Sequence, residues 1–195
     1  MRVMVAYPPV EGKGSPMLTQ NRQFQWFHEP SYLYPCVPAS AATWLQQLGH
    51  DVTWCDAIAE RRDWATFERI LQDTKPELVA METKTPVVRQ HWDIGARIKE
   101  LVPGCRTVLM GDHVTGNPEE TAQQPGIDYA LMGGHYDFAL KRLVEHLSEG
   151  TELGSGFCYQ TADGEVVNTG PFENESKGKL KDLLLLRRRQ QRRLT

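Results

Sequence analysis

The chain has 195 residues, 40% of them hydrophobic, and a net charge of −3, which fits one full domain with an extension. The charge is uneven: eight Lys/Arg and one acid from Lys177 onward give +7, leaving −10 on the remainder. An acidic body argues against nucleic-acid binding, because a phosphate backbone is held by Lys and Arg on the folded surface.

Arg2 to Tyr7 is a short apolar run ended by Pro8 and Pro9, the first predicted strand. Val10 to Val37 follows as a long segment that carries Phe24, Trp26, Phe27, Tyr32 and Tyr34. So many aromatics must bury area somewhere, so the segment reads as an ordered flap across the strand ends. Pro38 to Leu48 is a predicted helix stopped by Gly49, and Asp51 to Cys55 the second strand. Asp63 to Asp73 places Trp64, Phe67, Ile70 and Leu71 at helical spacing, and Glu77 to Met81 is the third strand. Thr85-Pro86 caps the next helix, which runs to Pro103-Gly104. Arg106 to Met110 is strand four, followed by a polar loop and a helix with Asn117 as N-cap and Pro118 at its first position. Ile127 to Leu131 is strand five, and Tyr136 to Ser148 the last long helix.

Five strands alternating with helices specify a flavodoxin-like, Rossmann-like α/β fold. The expected sheet is five-stranded, parallel and doubly wound, in the order 2-1-3-4-5. Beyond Gly150, residues 156–160 and 165–168 around Asp163-Gly164 predict a β-hairpin. The expected division is therefore 1–150 as the domain, 151–172 as a hairpin extension and 173–195 as a basic, solvated and disordered tail, with a helix over Leu180 to Leu186 as the alternative. For that tail, a native terminus and a truncated end both stay open.

Cys36, Cys55, Cys105 and Cys158 are scattered with no CxxC or CxxxCxxC spacing, so reduced thiols in a cytoplasmic protein are the expectation. No apolar run approaches the roughly 20 residues of a membrane span, and no signal-peptide pattern is visible.

Loops at the carboxyl ends of parallel strands converge on one rim, where open α/β sheets bind ligands. Gly133-Gly134 offers either close backbone approach to a flat ligand or an ordinary turn. Glu82-Thr83-Lys84-Thr85 is suited to hydrogen-bond a polar ligand tail, or only to cap a helix. His113 and His135 read either as ligands, with Asp112 completing a metal site, or as hydrogen-bonding loop residues. Rival ligand classes lack their loops. No Ser/Thr-rich phosphate loop or aspartate pair follows strand one, Glu82 stands where a phosphoacceptor Asp would be, and Gly12-Lys13-Gly14 is misplaced for GxGxxG.

Taken together and in order, Tyr7-Pro8-Pro9, Gln20 to Phe24, Glu82 to Val87, Gly111 to Thr115 and Gly133 to Phe138 resemble a known family. It is the N-terminal cobalamin-binding domain of B12-dependent radical SAM enzymes, matched over about residues 1–150. The resemblance implies cobalamin on the strand ends, with its nucleotide tail in a crevice between loops. The implied cofactor-binding residues are Tyr7, Pro8, Pro9, Thr83, Lys84, Thr85, Pro86, Val87, Gly111, Asp112, His113, Val114, Thr115, Gly133, Gly134, His135 and Tyr136. The DxHxxG motif that supplies a lower cobalt ligand in other B12 proteins is absent after strand one. Base-off cobalamin without a protein histidine is therefore what the resemblance implies. The cluster-binding cysteine triplet is also missing from these residues, so an iron–sulfur cluster and S-adenosylmethionine are expected only in a full-length relative. The implied partner is a radical SAM domain, in cis or in trans, performing methyl transfer or a related radical step, with no catalysis from this chain alone. A corrinoid-free, flavodoxin-like interaction or sensing domain is the alternative.

Overall fold

The computed structural model describes residues 1–19, 24–29 and 31–173, and it alternates strands with helices as the periodicity predicts. The strands β1 (Arg2–Tyr7), β4 (Asp51–Asp56), β5 (Leu78–Glu82), β6 (Arg106–Met110) and β7 (Tyr129–Leu131) are parallel. Two short strands in the flap, β2 (Ser15–Pro16) and β3 (Trp26–Phe27), pair antiparallel with each other. The hairpin strands are β8 (Phe157–Gln160) and β9 (Val166–Asn168).

Helices cover both faces of the sheet, which is why β1 and β5 are near-continuous apolar runs. Successive side chains point to opposite faces. Val3, Val5, Leu78 and Ala80 pack with Leu45 of α1 (Cys36–Gln47) and with Leu140 and Val144 of α6 (Tyr136–Glu149). Met4, Ala6, Val79 and Met81 pack instead with Phe67 and Leu71 of α2 (Trp64–Thr74) and Ile98 of α3 (Val88–Leu101). Asp63 caps α2 by accepting from Thr66 N at 2.8 Å.

Three expectations are corrected. The sheet has seven strands, not five, in the order β4-β1-β5-β6-β7-β8-β9. Its five parallel strands, counted among themselves along the chain, lie in the order 2-1-3-4-5, and two antiparallel strands extend that arrangement. The hairpin is the cause: β8 pairs antiparallel with β7 and covers an edge that would otherwise present unpaired backbone groups. Next, the segment after Gly111 is not a plain loop but a helical turn, α4 (Asp112–Gly116), which precedes α5 (Pro118–Ala122). Finally, Thr85 caps nothing. It opens a 3-10 turn (Thr85–Val87) and its hydroxyl is engaged with His113 instead. Asn117 holds the N-cap position of α5 without a side-chain cap bond. Most of the predicted tail, including Leu180 to Arg193, lies outside the described residues, as does Gln20 to Gln23 of the flap.

Candidate functional site

Because the five parallel strands share one direction, Tyr7, Asp56, Glu82, Met110 and Leu131 all end on the same edge of the sheet. The turns that follow them build the rim. Its two halves differ in character.

On the β1–β5 side the rim is closed. Tyr7 Oη donates to Glu82 Oε2 at 2.5 Å, and both side chains are buried. The Thr19 hydroxyl also bonds to the Glu82 carboxyl. Burial, the largest influence, raises the Glu82 pKa to about 7, although the bonds from Tyr7 and Thr19 and the Lys84 charge favour the carboxylate. Burial and the neighbouring Glu82 together push the Tyr7 phenol well above its ordinary range. The described part of the flap packs here, with Leu18, Phe24 and Trp26 against Tyr7 and Val87. A bidentate amide contact ties it further to α3: Glu11 N donates to Gln90 Oε1 at 2.7 Å, and Gln90 Nε2 donates to Glu11 O at 2.9 Å.

On the β5–β6–β7 side the rim is open. Lys84 reaches across to form an ion pair with Asp112, the lysine side chain buried and the aspartate exposed. Gly111 has φ +130°, and a Cβ there would lie 2.1 Å from the Thr83 carbonyl oxygen. Only glycine allows the two turns to approach so closely. Thr115 links the next pair of turns: its hydroxyl donates to Gly111 O at 3.0 Å and accepts from Gly133 N at 3.0 Å. A cleft of about 480 Å³ opens beside them, lined among others by Thr115, Gly133, Gly134, His135, Asn168 and Phe172. Above Gly116 and Gly134 no atom of the described residues, apart from their chain neighbours and local helix backbone, comes within 4 Å of where a side chain would begin. The backbone there is free to meet a ligand.

The structure therefore brings Thr83 to Val87, Gly111 to Thr115 and Gly133 to Tyr136 together on one edge, with Tyr7 and Pro8 buried in the neighbouring closed half and Pro9 part-exposed. Thr85, Pro86, Asp112, Thr115, Gly134 and His135 are exposed, whereas Thr83, Lys84, Val87, Gly111, His113, Val114 and Tyr136 form the buried floor. His113 is turned inward: Nδ1 meets Thr85 Oγ1 at 3.2 Å, its ring packs edge-on to Trp92, and Nε2 lies 3.4 Å from Glu120 Oε2. The metal reading of Asp112, His113 and His135 is corrected by this arrangement. Among the described residues no three His, Cys, Asp or Glu are grouped to hold an ion.

Sequence reasoning missed the roles of three residues. Glu82 was legible as part of the polar stretch Glu82 to Thr85, but not as the partner of Tyr7. His91 was assigned no role, yet it is fully buried beneath the rim, with Nδ1 3.1 Å from both Thr83 Oγ1 and Val87 O. Burial lowers its pKa to about 4. Phe172, from the segment after β9, rests on Gly133 and Gly156 and faces His135 with ring centroids 5.9 Å apart. No local pattern in the sequence announces any of these contacts.

The fold and its loop-lined strand ends define an open α/β domain with a ligand-type rim. Among solved structures the chain is similar to the radical S-adenosylmethionine methyltransferase TsrM of Kitasatospora setae, solved with cobalamin and a [4Fe-4S] cluster bound. The TM-score is 0.63 at 21% identity, over 90% of this chain and 30% of that one. It is likewise similar to the cobalamin-dependent S-adenosylmethionine radical enzyme OxsB with aqua-cobalamin bound. There the TM-score is 0.63 at 13% identity, over 89% of this chain and 22% of that one. At these identities the likeness is one of fold. An uncharacterized methyltransferase of Pyrococcus horikoshii is 30% identical over 125 residues, 63% of this chain and 27% of that protein. The chain thus spans less than a third of the length of these three relatives. No protein-family model matches it. No helix among the described residues is long and apolar enough to cross a membrane.

Proposed function

We propose that the chain is a cobalamin-binding module whose partner is a radical SAM domain, in cis or in trans. The observation that carries this reading is the open half of the rim, where Thr85, Asp112, Thr115 and Gly134 are exposed at the ends of three adjacent parallel strands. The residues fit a flat, amide-fringed ring. Bare backbone at Gly116 and Gly134 leaves room for it, and hydroxyls and an ion pair border that room. In this reading Thr83 to Val87, Gly111 to Thr115 and Gly133 to Tyr136 hold the corrin and its tail, with Tyr7 to Pro9 bounding the site.

Cobalamin supplies a cobalt centre able to carry a methyl group or an electron; the chain's own residues bind and orient it. The inward engagement of His113 with Thr85 supports a base-off cofactor with no histidine ligand from the protein. Residues 1–150 form the binding unit and 151–172 its hairpin extension, while the cluster and S-adenosylmethionine belong to a full-length relative. The described part of the flap packs over the β1 side, and among the described residues the β6–β7 side is open, which does not favour the corrinoid-free alternative.

The test is direct. Purified chain is mixed with hydroxocobalamin and passed through a size-exclusion column. Corrin absorbance should co-elute with the protein near one equivalent; protein eluting without it overturns the proposal.

A further inference from the structure

In this sheet the connections from β1 and β5 diverge to opposite sides, so the carboxyl ends of the two strands bound the switch-point crevice. That crevice is where open α/β folds admit ligands, and here it is bridged. Tyr7 Oη donates to Glu82 Oε2 at 2.5 Å, the Thr19 hydroxyl bonds to the same carboxyl, and Leu18 packs on Tyr7 and Val87. We propose that the Tyr7–Glu82 bridge is a proton-operated clasp, holding the β1–β5 crevice shut while Glu82 is protonated and yielding when the carboxyl ionises. This goes beyond the cobalamin reading and does not rest on it.

The groups that act on the bridge come from every neighbouring element. They are Tyr7 of β1, Asp56 at the end of β4, Lys84 in the turn after β5, Asp112 of α4 and Tyr136 of α6. Lys84 favours the carboxylate and Asp112 opposes it, and burial outweighs both. Opening the crevice lets water reach the carboxylate and returns Glu82 toward ordinary carboxyl behaviour. A group that is a weaker acid in the closed state than in the open one must drive opening as pH rises. With Glu82 at about 7 when closed and 4.5 as its ordinary value, opening grows by up to about tenfold per pH unit across that interval. It then levels off, at no more than about 300-fold in total. Tyr7, held above its ordinary range, keeps its proton throughout and remains a donor.

Amide hydrogen exchange tests this without any ligand. Peptides covering residues 14–19 and 78–85 are followed in wild type and in Glu82→Gln at matched pH from 5 to 8. The intrinsic pH dependence of exchange cancels in their ratio. The wild-type to variant ratio should lie within a few-fold of one at pH 5 and rise tens-fold by pH 8. A ratio that stays constant overturns the clasp. Tyr7→Phe keeps the ring and its packing but removes a bond that favours the carboxylate, so the midpoint of opening should move to higher pH. Should Glu82→Gln fail to fold, that midpoint decides, read from exchange corrected for intrinsic rates. An unmoved midpoint overturns the proposal.

Discussion

Gly111 and Thr83 meet backbone to backbone across the rim, and the β5–β6 ladder fixes the approach: Thr83 N donates to Met110 O at 2.8 Å. A methyl group on Gly111 would lie 2.1 Å from the Thr83 carbonyl oxygen, and φ of +130° is unfavourable for any L side chain. Gly111→Ala should therefore cost on the order of 3 kcal/mol, combining backbone strain with overpacking. Urea denaturation would show a lower midpoint at unchanged slope. A loss below about 0.5 kcal/mol, the range of an ordinary surface change, would mean that the two turns are not in contact.

Gly134 has the opposite environment, with an exposed backbone and, among the described residues beyond its chain neighbours, no atom within 4 Å of where a Cβ would sit. Gly134→Ala and Gly134→Phe should both leave stability within about 0.5 kcal/mol of the parent. The phenyl group would nonetheless occupy the space assigned to the corrin. Cobalamin affinity should fall at least about tenfold in Gly134→Phe, or about 1.4 kcal/mol, with the thermal midpoint unmoved. Undiminished binding in that variant would place the cofactor elsewhere on the chain.

Glu82 and His91 give opposing contributions to stability against pH. Glu82 is a weaker acid folded, about 7 against 4.5, so the folded state holds its proton longer and stability falls as pH rises through that interval. His91 is a weaker base folded, about 4 against 6.5, so the unfolded state takes the proton first and stability falls as pH drops through that interval. Between about pH 4.5 and 6.5 the two slopes cancel for this pair. Glu82→Gln should expose the histidine slope, with stability rising by up to roughly 1.4 kcal/mol per pH unit from 4 to 6.5. His91→Gln should expose the reverse slope up to pH 7. Unfolding free energies measured from pH 4 to 8 would check both, and parallel profiles in the two variants would refute the assignment.

What was legible in the sequence follows from the range of the interactions involved. Strands β1, β5 and β6 were plain because burial on both faces demands unbroken apolar runs, and α2 because Phe67 and Leu71 recur at helical spacing. The rim turns were legible as glycine and hydroxyl breaks after those runs. The seven-stranded sheet was not, since pairing of β8 with β7 depends on contacts between residues 26 to 30 positions apart that leave no local mark. The helical turn α4 hid behind Gly111 and the β-branched Val114 and Thr115, all weak helix formers, and is stabilised by Thr115 N donating to Gly111 O. Nothing beside His91 in the sequence marks it as buried, since its ring meets Thr83, eight positions away and outside its own helix.

Phe157 decides whether the hairpin is an attachment or part of the fold. It is fully buried in the cluster that holds Val108, Leu131 and Leu140, so its ring fills core on the α6 face of the sheet. Removing a buried phenyl ring costs about 3–5 kcal/mol, from lost transfer energy and the cavity left behind. Phe157→Ala should thus lower the stability of the whole chain by that amount, in one cooperative transition seen alike by far-ultraviolet circular dichroism and tryptophan fluorescence. A hairpin that merely leaned on a finished 1–150 domain would behave differently. Its loss would leave the main transition in place and add a small, separate step at low denaturant. The parallel edge of β7 is only three residues long and gains its second partner from β8, which is why the single transition is the expected result.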